Sequence, residues 1–288
     1  MPYVRASDGC RIHYEVTGRK SAPPVLMIQG LGMDKTGWIL QRLVLSWRYR
    51  VIVFDNRGSG RSDKPHGDYD LGQMGRDALA VLDAEGIDSA HVVGASMGGA
   101  ITQIVGVMHP DRVRSLTLAC TACRNQPWRV QLLSGWADQA KRDGVGAMAG
   151  QAARWVIGPR SFRRVVPVLG WLGPLGFGRS SEAFAGQVAA IVAADDSLAD
   201  ELANITVPTL IIAGNQDILT PRGDSEELAE RIPTAELVVI SGAAHGLMIE
   251  HASTFNRVLG DFLHRAEQAY QANAEVAAAE TRRASVAG

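Results

Sequence analysis

The chain has few cysteines, few aromatic residues, almost no net charge and no long apolar run. Three cysteines in 288 residues cannot build a disulfide framework, which fits a reducing compartment. Twenty-nine Lys and Arg stand against 30 Asp and Glu, a formal net charge of −1, so no overall field draws the protein to nucleic acid or to an anionic membrane. No apolar segment reaches the roughly 18 residues of a membrane span. The opening MPYVRASDGCRIHYEV lacks the basic-then-apolar pattern of a leader. The expectation is a cytoplasmic protein whose partner is a small molecule, with no nucleic acid and no membrane insertion. Cys120 and Cys123 have C-x-x-C spacing, but they follow the apolar run VRSLTLAC and no second Cys/His pair lies at zinc-ligand distance. They are read as buried strand-end thiols, and no metal is expected.

What the chain does have is apolar material in short, evenly spread pieces. Hydrophobic residues make up 46% of it, enough for one sizeable core. The runs PVLMIQG (24 to 30), YRVIVFDNRG (49 to 58), AHVVGAS (90 to 96), VRSLTLAC (113 to 120), PTLIIAGNQD (208 to 217) and AELVVISG (235 to 242) alternate with helix-like segments. Continuous apolar strands of this kind are buried on both faces, which predicts an α/β fold with a mostly parallel central sheet and helices on each side. Near the start, YVRASDGCRIHYEVTG turns at Asp8-Gly9 and predicts an antiparallel hairpin at the sheet edge. About 85 residues between Cys120 and Pro208 hold helix-like pieces but no convincing strand. The expected organisation is a core domain over 1–123, an inserted helical cap over 124–206, the rest of the core over 207–267, and a frayed or disordered tail over 268–288.

The junction VVGASMGGA raises a chemical question. Ser96 sits between Gly94 and Gly98, where an apolar strand passes into the helix-like ITQIVGVMH. A serine on so tight a turn takes a strained backbone, and flanking side chains would collide with strand and helix; Gly94, Gly98, Gly99 and Ala100 meet that need. Taken alone the pattern serves equally as a glycine-rich turn. A serine nucleophile also requires a base, itself oriented by an acid. Asp217 is the first carboxylate beyond PTLIIAGNQ, and His245 follows AELVVISG in GAAHG. The order Ser96, Asp217, His245, each just past a predicted strand, matches the strand-end serine hydrolase pattern. The backbone N–H of Met97 and that of Leu31, in the loop QGLGMDKTGW, are the expected oxyanion donors.

Together these segments resemble the α/β-hydrolase family over nearly the whole chain apart from the tail. Within the family, GRDALAVLDAEGIDSAHVVGASMGG, HPDRVRSLTLACTACR and RWVIGPRSF are similar to 3-oxoadipate enol-lactonases and neighbouring esterases. The resemblance implies a cofactor-independent hydrolase of carboxylic esters or lactones. It also implies that DNRGSGRSD (55 to 63) is structural, with Asp55, Arg57, Gly58 and Gly60 bracing a loop. Gln29 stands where many members carry histidine before the oxyanion glycine, a change expected to alter loop bracing more than chemistry. Serine at the elbow argues against the branches that use aspartate there, and His245-Gly246 lacks the tryptophan typical of C–C bond hydrolases. A cofactor-free haloperoxidase or perhydrolase, and a non-catalytic small-molecule receptor, remain open.

The cap segment carries its own signals. From Arg124 to Arg179 nine basic residues face only Asp138 and Asp143. This suits either an anionic substrate, with Arg124 the best-placed contact, or a solvated helix face balanced by later acids. Trp128, Trp136, Trp155 and Trp171 could line an acyl pocket or dock the cap; Trp128 and Trp155 are the expected substrate contacts. The glycine-broken stretch VVPVLGWLGPLGFG (165 to 178) suits a mobile cap edge or a homodimer contact.

Overall fold

A computed structural model describes residues 2–159, 161, 163, 180–194 and 196–287, and the side chains of these as far as 276. The stretch 165 to 178, Trp171 and the arginines at 160, 164 and 179 lie outside the described residues. Eight strands form one sheet in the order β1-β2-β4-β3-β5-β6-β7-β8. They are β1 (Tyr3–Arg5), β2 (Arg11–Thr17), β3 (Pro24–Ile28), β4 (Arg50–Phe54), β5 (Ala90–Ala95), β6 (Val113–Ala119), β7 (Thr209–Gly214) and β8 (Ala235–Ile240). β1 pairs with β2 and β2 with β4 antiparallel; every pairing from β4 through β3 to β8 is parallel.

The central strands are apolar at successive positions because both faces are covered. Every residue of β3, β4, β5 and β7 is buried. Within β3, Leu26 and Ile28 join the core layer of Ile52, Met74, Ile101 and Leu116, while Val25 and Met27 join the opposite layer of Trp38, Val53, Ile212 and Phe255. The two-residue period of a strand thus feeds two cores from one segment. The helices on the faces are α1 (Ile39–Leu45), α2 (Leu71–Ala84) and α3 (Met97–Met108). Between β6 and β7 run α4 (Pro127–Asp143), α5 (Val145–Val156), α6 (Ser181–Val192) and the single turn α7 (Leu198–Glu201). The helices α4, α5 and α6 share a third apolar cluster, Leu133, Trp136, Ala140, Met148, Phe184 and Val188, which reaches the core through Leu31 and Leu219. After β7 come α8 (Arg222–Arg231), α9 (Leu247–Glu250) and α10 (Ala252–Ala287).

The last helix corrects the expectation of a frayed tail from residue 268. Its alanine-rich stretch has high helix propensity, and its polar residues find partners on the core. Tyr270 Oη lies 3.0 Å from Ser89 Oγ, and the Arg114 guanidinium sits 4.4 Å from the centre of the Tyr270 ring. Beside them Glu267 accepts from Arg114 and meets His91 Nε2 at 3.0 Å. The docking is made by a cation–π and hydrogen-bond cluster, which an apolar periodicity cannot reveal. No helix among the described residues is long and apolar enough to cross a membrane.

His91 is fully buried, and burial holds its imidazole below the usual histidine range despite the neighbouring Glu267. As pH falls through the unfolded value of about 6.5 the unfolded chain takes up a proton that the folded chain resists, so stability present above that pH is lost on acidification. The thermal midpoint is therefore expected to fall between pH 7 and pH 5, and to fall less in His91→Gln. Identical pH dependence in the two proteins would refute this role.

Candidate active site

The site is assembled at the carboxyl ends of β3, β5, β7 and β8. Ser96 follows β5 directly and is the N-cap of α3, with φ 55° and ψ −119°. Non-glycine residues seldom adopt a left-handed φ, and such strain persists only where the surroundings over-determine it. Here the Ser96 N–H donates to the Ala119 carbonyl at 2.9 Å, and the Thr121 hydroxyl donates to the Ser96 carbonyl at 2.9 Å. Gly98 is needed for close approach: a Cβ there would lie 2.2 Å from the Ile28 carbonyl oxygen and 2.8 Å from that of Gln29.

Asp217 and His245 lie on loops joined to one another. The Gln216 N–H donates to the Ala243 carbonyl at 2.8 Å, and the Gly242 N–H to Asn215 Oδ1 at 2.7 Å. His245 Nδ1 is 2.8 Å from Asp217 Oδ2, and His245 Nε2 is 3.0 Å from Ser96 Oγ. Three residues far apart in sequence thus form one continuous relay. Thr220, which the sequence reading missed, completes the acid end. Its N–H donates to Asp217 Oδ1 at 2.9 Å and its hydroxyl to Oδ2 at 2.7 Å, while Leu219 N–H adds a third donor at 2.9 Å. The local signal was present in Asp-Ile-Leu-Thr, since an aspartate readily accepts from the backbone two and three residues on. Burial pushes the Asp217 carboxyl up, but the His245 imidazole and the Thr220 donors outweigh it and hold the group below the usual carboxylate range.

Leu31 and Met97 line the cavity above Ser96. Met97 is the first residue of α3, where a backbone N–H has no partner within the helix. Among the described residues neither the Leu31 nor the Met97 N–H has an acceptor in the protein. A Cβ on Gly30 would stand 3.2 Å from Ser96 Cβ and 3.8 Å from its Oγ, so this loop passes immediately beside the hydroxyl. Gln29 braces it: its Oε1 accepts from the Gly30 N–H at 2.8 Å, and its carbonyl accepts from Asn56 Nδ2 at 2.9 Å. The segment 55 to 63 supports the loop from below. The buried Asp55 accepts from the Lys35 N–H and the Arg61 N–H, each at 2.9 Å, and Arg57 is held between Asp77 and Asp8. Cys120 is also beside the cavity, where burial pushes its thiol well above the usual range, the opposite of what a thiolate nucleophile needs.

The cavity measures about 470 Å³ and is lined chiefly by apolar side chains, among them Leu133, Trp136, Met148, Phe184, Leu219 and Met248. The expected substrate contacts Arg124, Trp128 and Trp155 are not part of that lining, which corrects the sequence reading. Arg124 is taken up by Asp196, Asp200 and Glu227. Trp128 and Trp155 stack on each other, with ring centres 6.3 Å apart, at the side of the cap cluster. In their place α4 turns Arg129, Leu133 and Trp136 to the cavity. The Arg129 charge is itself satisfied, by the Leu219 and Arg124 carbonyls and by the Asp224 carboxylate.

Comparison with known proteins shows what the whole chain is similar to. The family described as alpha/beta hydrolase fold matches residues 23–154, and that described as serine aminopeptidase, S33, matches residues 179–252. The chain is 30% identical over 285 residues to RutD of Azorhizobium caulinodans, covering 93% of this chain and 100% of that protein. It is 29% identical over 260 residues to 3-oxoadipate enol-lactonase 1 of Acinetobacter baylyi, covering 89% and 94%. The crystal structure of the enol-lactonase from Burkholderia xenovorans LB400 superposes with a TM-score of 0.85 at 31% identity, covering 91% of this chain and all of that one.

The packing at Gly98 makes a direct prediction. Gly98→Ala drives a methyl into backbone carbonyls that cannot rotate away, and is expected to cost roughly 1–3 kcal/mol, the usual range for an overpacked core. Urea unfolding followed by circular dichroism checks this, and an unchanged midpoint would contradict the geometry described here.

Proposed function

The chain belongs to the α/β-hydrolase family, and we propose that within it the protein is a cofactor-independent serine hydrolase of carboxylic esters or lactones, working through an acyl-enzyme on Ser96. The observation that carries this reading is the continuous relay Asp217–His245–Ser96, with contacts of 2.8 and 3.0 Å. His245 Nε2 accepts the Ser96 proton as Oγ attacks the substrate carbonyl. Asp217, held ionised by its donors, accepts from Nδ1–H and stabilises the imidazolium that forms. The developing oxyanion is received by the N–H groups of Leu31 and Met97, each worth about 3 kcal/mol in such a site. His245 then protonates the leaving oxygen, and afterwards deprotonates the water that releases the acyl group.

The lining narrows the substrate class. An acyl portion entering beside Leu133, Trp136 and Phe184 meets apolar surface, and the neighbouring Arg129 guanidinium already has a carboxylate partner in Asp224. A substrate carboxylate placed there would lose water without gaining a free cation. Neutral, apolar acyl groups are the better fit.

Two measurements test these statements. With p-nitrophenyl butyrate, Ser96→Ala is expected to lose roughly 10³-fold or more of kcat, together with labelling by a fluorophosphonate probe; wild-type rates in that variant would sink the assignment. In wild type, the neutral butyrate ester is expected to exceed the mono-succinate ester in kcat/KM by about tenfold or more, the equivalent of about 1.4 kcal/mol. Equal or better turnover of the anionic ester would overturn the substrate class and leave the relay standing.

A further inference from the structure

Gln187 is a long polar side chain in the middle of α6, SEAFAGQVAAIV, yet it is fully buried. An amide removed from water must find partners for both ends, since each unpaired group is costly. Gln187 finds three. Its Oε1 accepts from the Gly32 N–H at 2.9 Å, and its Nε2 donates to the Arg57 carbonyl at 2.8 Å and to Ser59 Oγ at 3.0 Å. Gly32 belongs to the loop after β3, Arg57 and Ser59 to the loop after β4, and α6 to neither. One planar amide from the cap therefore sets the spacing between two loops of the core.

The lower anchor is rigid. The Arg57 guanidinium donates to Asp77 at 2.6 and 2.8 Å and to Asp8 at 2.8 Å. The cap helix is pinned beside Gln187 as well, where the Tyr69 N–H donates to the Gly186 carbonyl at 3.3 Å. The Gln187 amide extends this rigidity to the Leu31–Gly32 peptide, because the Gly32 N–H lies in that peptide plane. On the other side Gln29 Oε1 holds the Gly30 N–H, which lies in the Gln29–Gly30 plane. The peptide between them, Gly30–Leu31, has both neighbours clamped, and its own N–H is the one left for the cavity.

We infer that Gln187 is a positioning residue for the oxyanion hole: by clamping Gly32 from the cap it aims the Leu31 N–H, so that a correctly seated α6 and a competent oxyanion site are one arrangement. This rests on the hydrolase reading, in which the Leu31 N–H stabilises negative charge in the transition state. A donor displaced by a fraction of an ångström loses its benefit where charge develops, and loses little in the ground-state complex.

The test compares the full-length protein with Gln187→Met, which removes all three hydrogen bonds at similar volume, and with Gln187→Glu, which keeps an acceptor for the Gly32 N–H but removes the amide donors. Four quantities are read: kcat and KM for p-nitrophenyl butyrate, the inhibition constant of butaneboronic acid as a tetrahedral anionic adduct of Ser96, and the thermal midpoint. Gln187→Met is expected to lose about tenfold or more in kcat with KM within about threefold, and to weaken the boronate by a similar factor. Gln187→Glu is expected to lose less kcat and boronate affinity than Gln187→Met, even where its midpoint is the lower of the two. Losses that follow the midpoint instead, or an unimpaired kcat in Gln187→Met, would overturn the inference alone. Absence of Ser96-dependent turnover and of a Ser96 boronate adduct in wild type would overturn the hydrolase reading, and this inference with it.

Discussion

Ser96 holds a left-handed backbone between a wholly buried strand and a buried helix, and that steric constraint organises much of what surrounds it. The turn is compact enough that Gly98 must pass within contact of the Ile28 and Gln29 carbonyls, which brings the end of β3 and its loop against the nucleophile candidate. The same turn leaves the Met97 N–H, the first of α3, without an acceptor among the described residues, at the wall of the cavity. Strain at one residue is maintained by ordered neighbours, here the Ala119 carbonyl and the Thr121 hydroxyl at the end of β6.

Around that turn the polar groups of the site are held by other polar groups rather than by packing alone. Asp217 receives three donors besides His245, so the carboxylate has one orientation, and the imidazole it holds has one as well. The loop that carries Leu31 is supported by Gln29, by the Asn56 contact to its carbonyl, and by Gln187 from the cap. The histidine loop is also tied to the cap, since the Gly246 N–H donates to the Val156 carbonyl at 2.7 Å. The inserted helices thus do more than roof a cavity. They share hydrogen bonds with the loops that carry Leu31 and His245, which gives α5 and α6 a direct effect on the geometry below them.

The core and the relay were legible in the sequence because their signals are local. Buried parallel strands read as unbroken apolar runs, and a glycine two places to either side of a serine marks a tight strand-to-helix turn. Asp217 and His245 could be placed because each follows directly on such a run. The substrate face was misread for a physical reason. Arg124 is suggested by its charge just beyond a strand end, and Trp128 and Trp155 by their aromatic type, yet which residues of the cap helices meet the cavity depends on how each helix is rotated when it docks. A shift of one residue turns a helical side chain by about 100°, so Arg129 faces the cavity while Trp128, one place earlier on α4, stacks on Trp155 of α5; Arg124 lies before α4 and finds three carboxylates. The tail was misread similarly, because Tyr270 docks through Arg114 and Ser89 and not through an apolar stripe.

By itself the sequence determined an α/β sheet buried on both faces, a serine presented on a glycine-flanked turn, and an acid and a histidine in the right order beyond later strands. Each of these follows from residue type and short-range spacing. Only the tertiary structure decided which cap residues line the cavity, that Thr220 completes the acid, and that Gln187 joins two loops across separations of 155 and 128 residues. Those depend on the rotation and seating of helices against the sheet, and no local pattern in an alanine-rich helix reveals which of its faces will be covered.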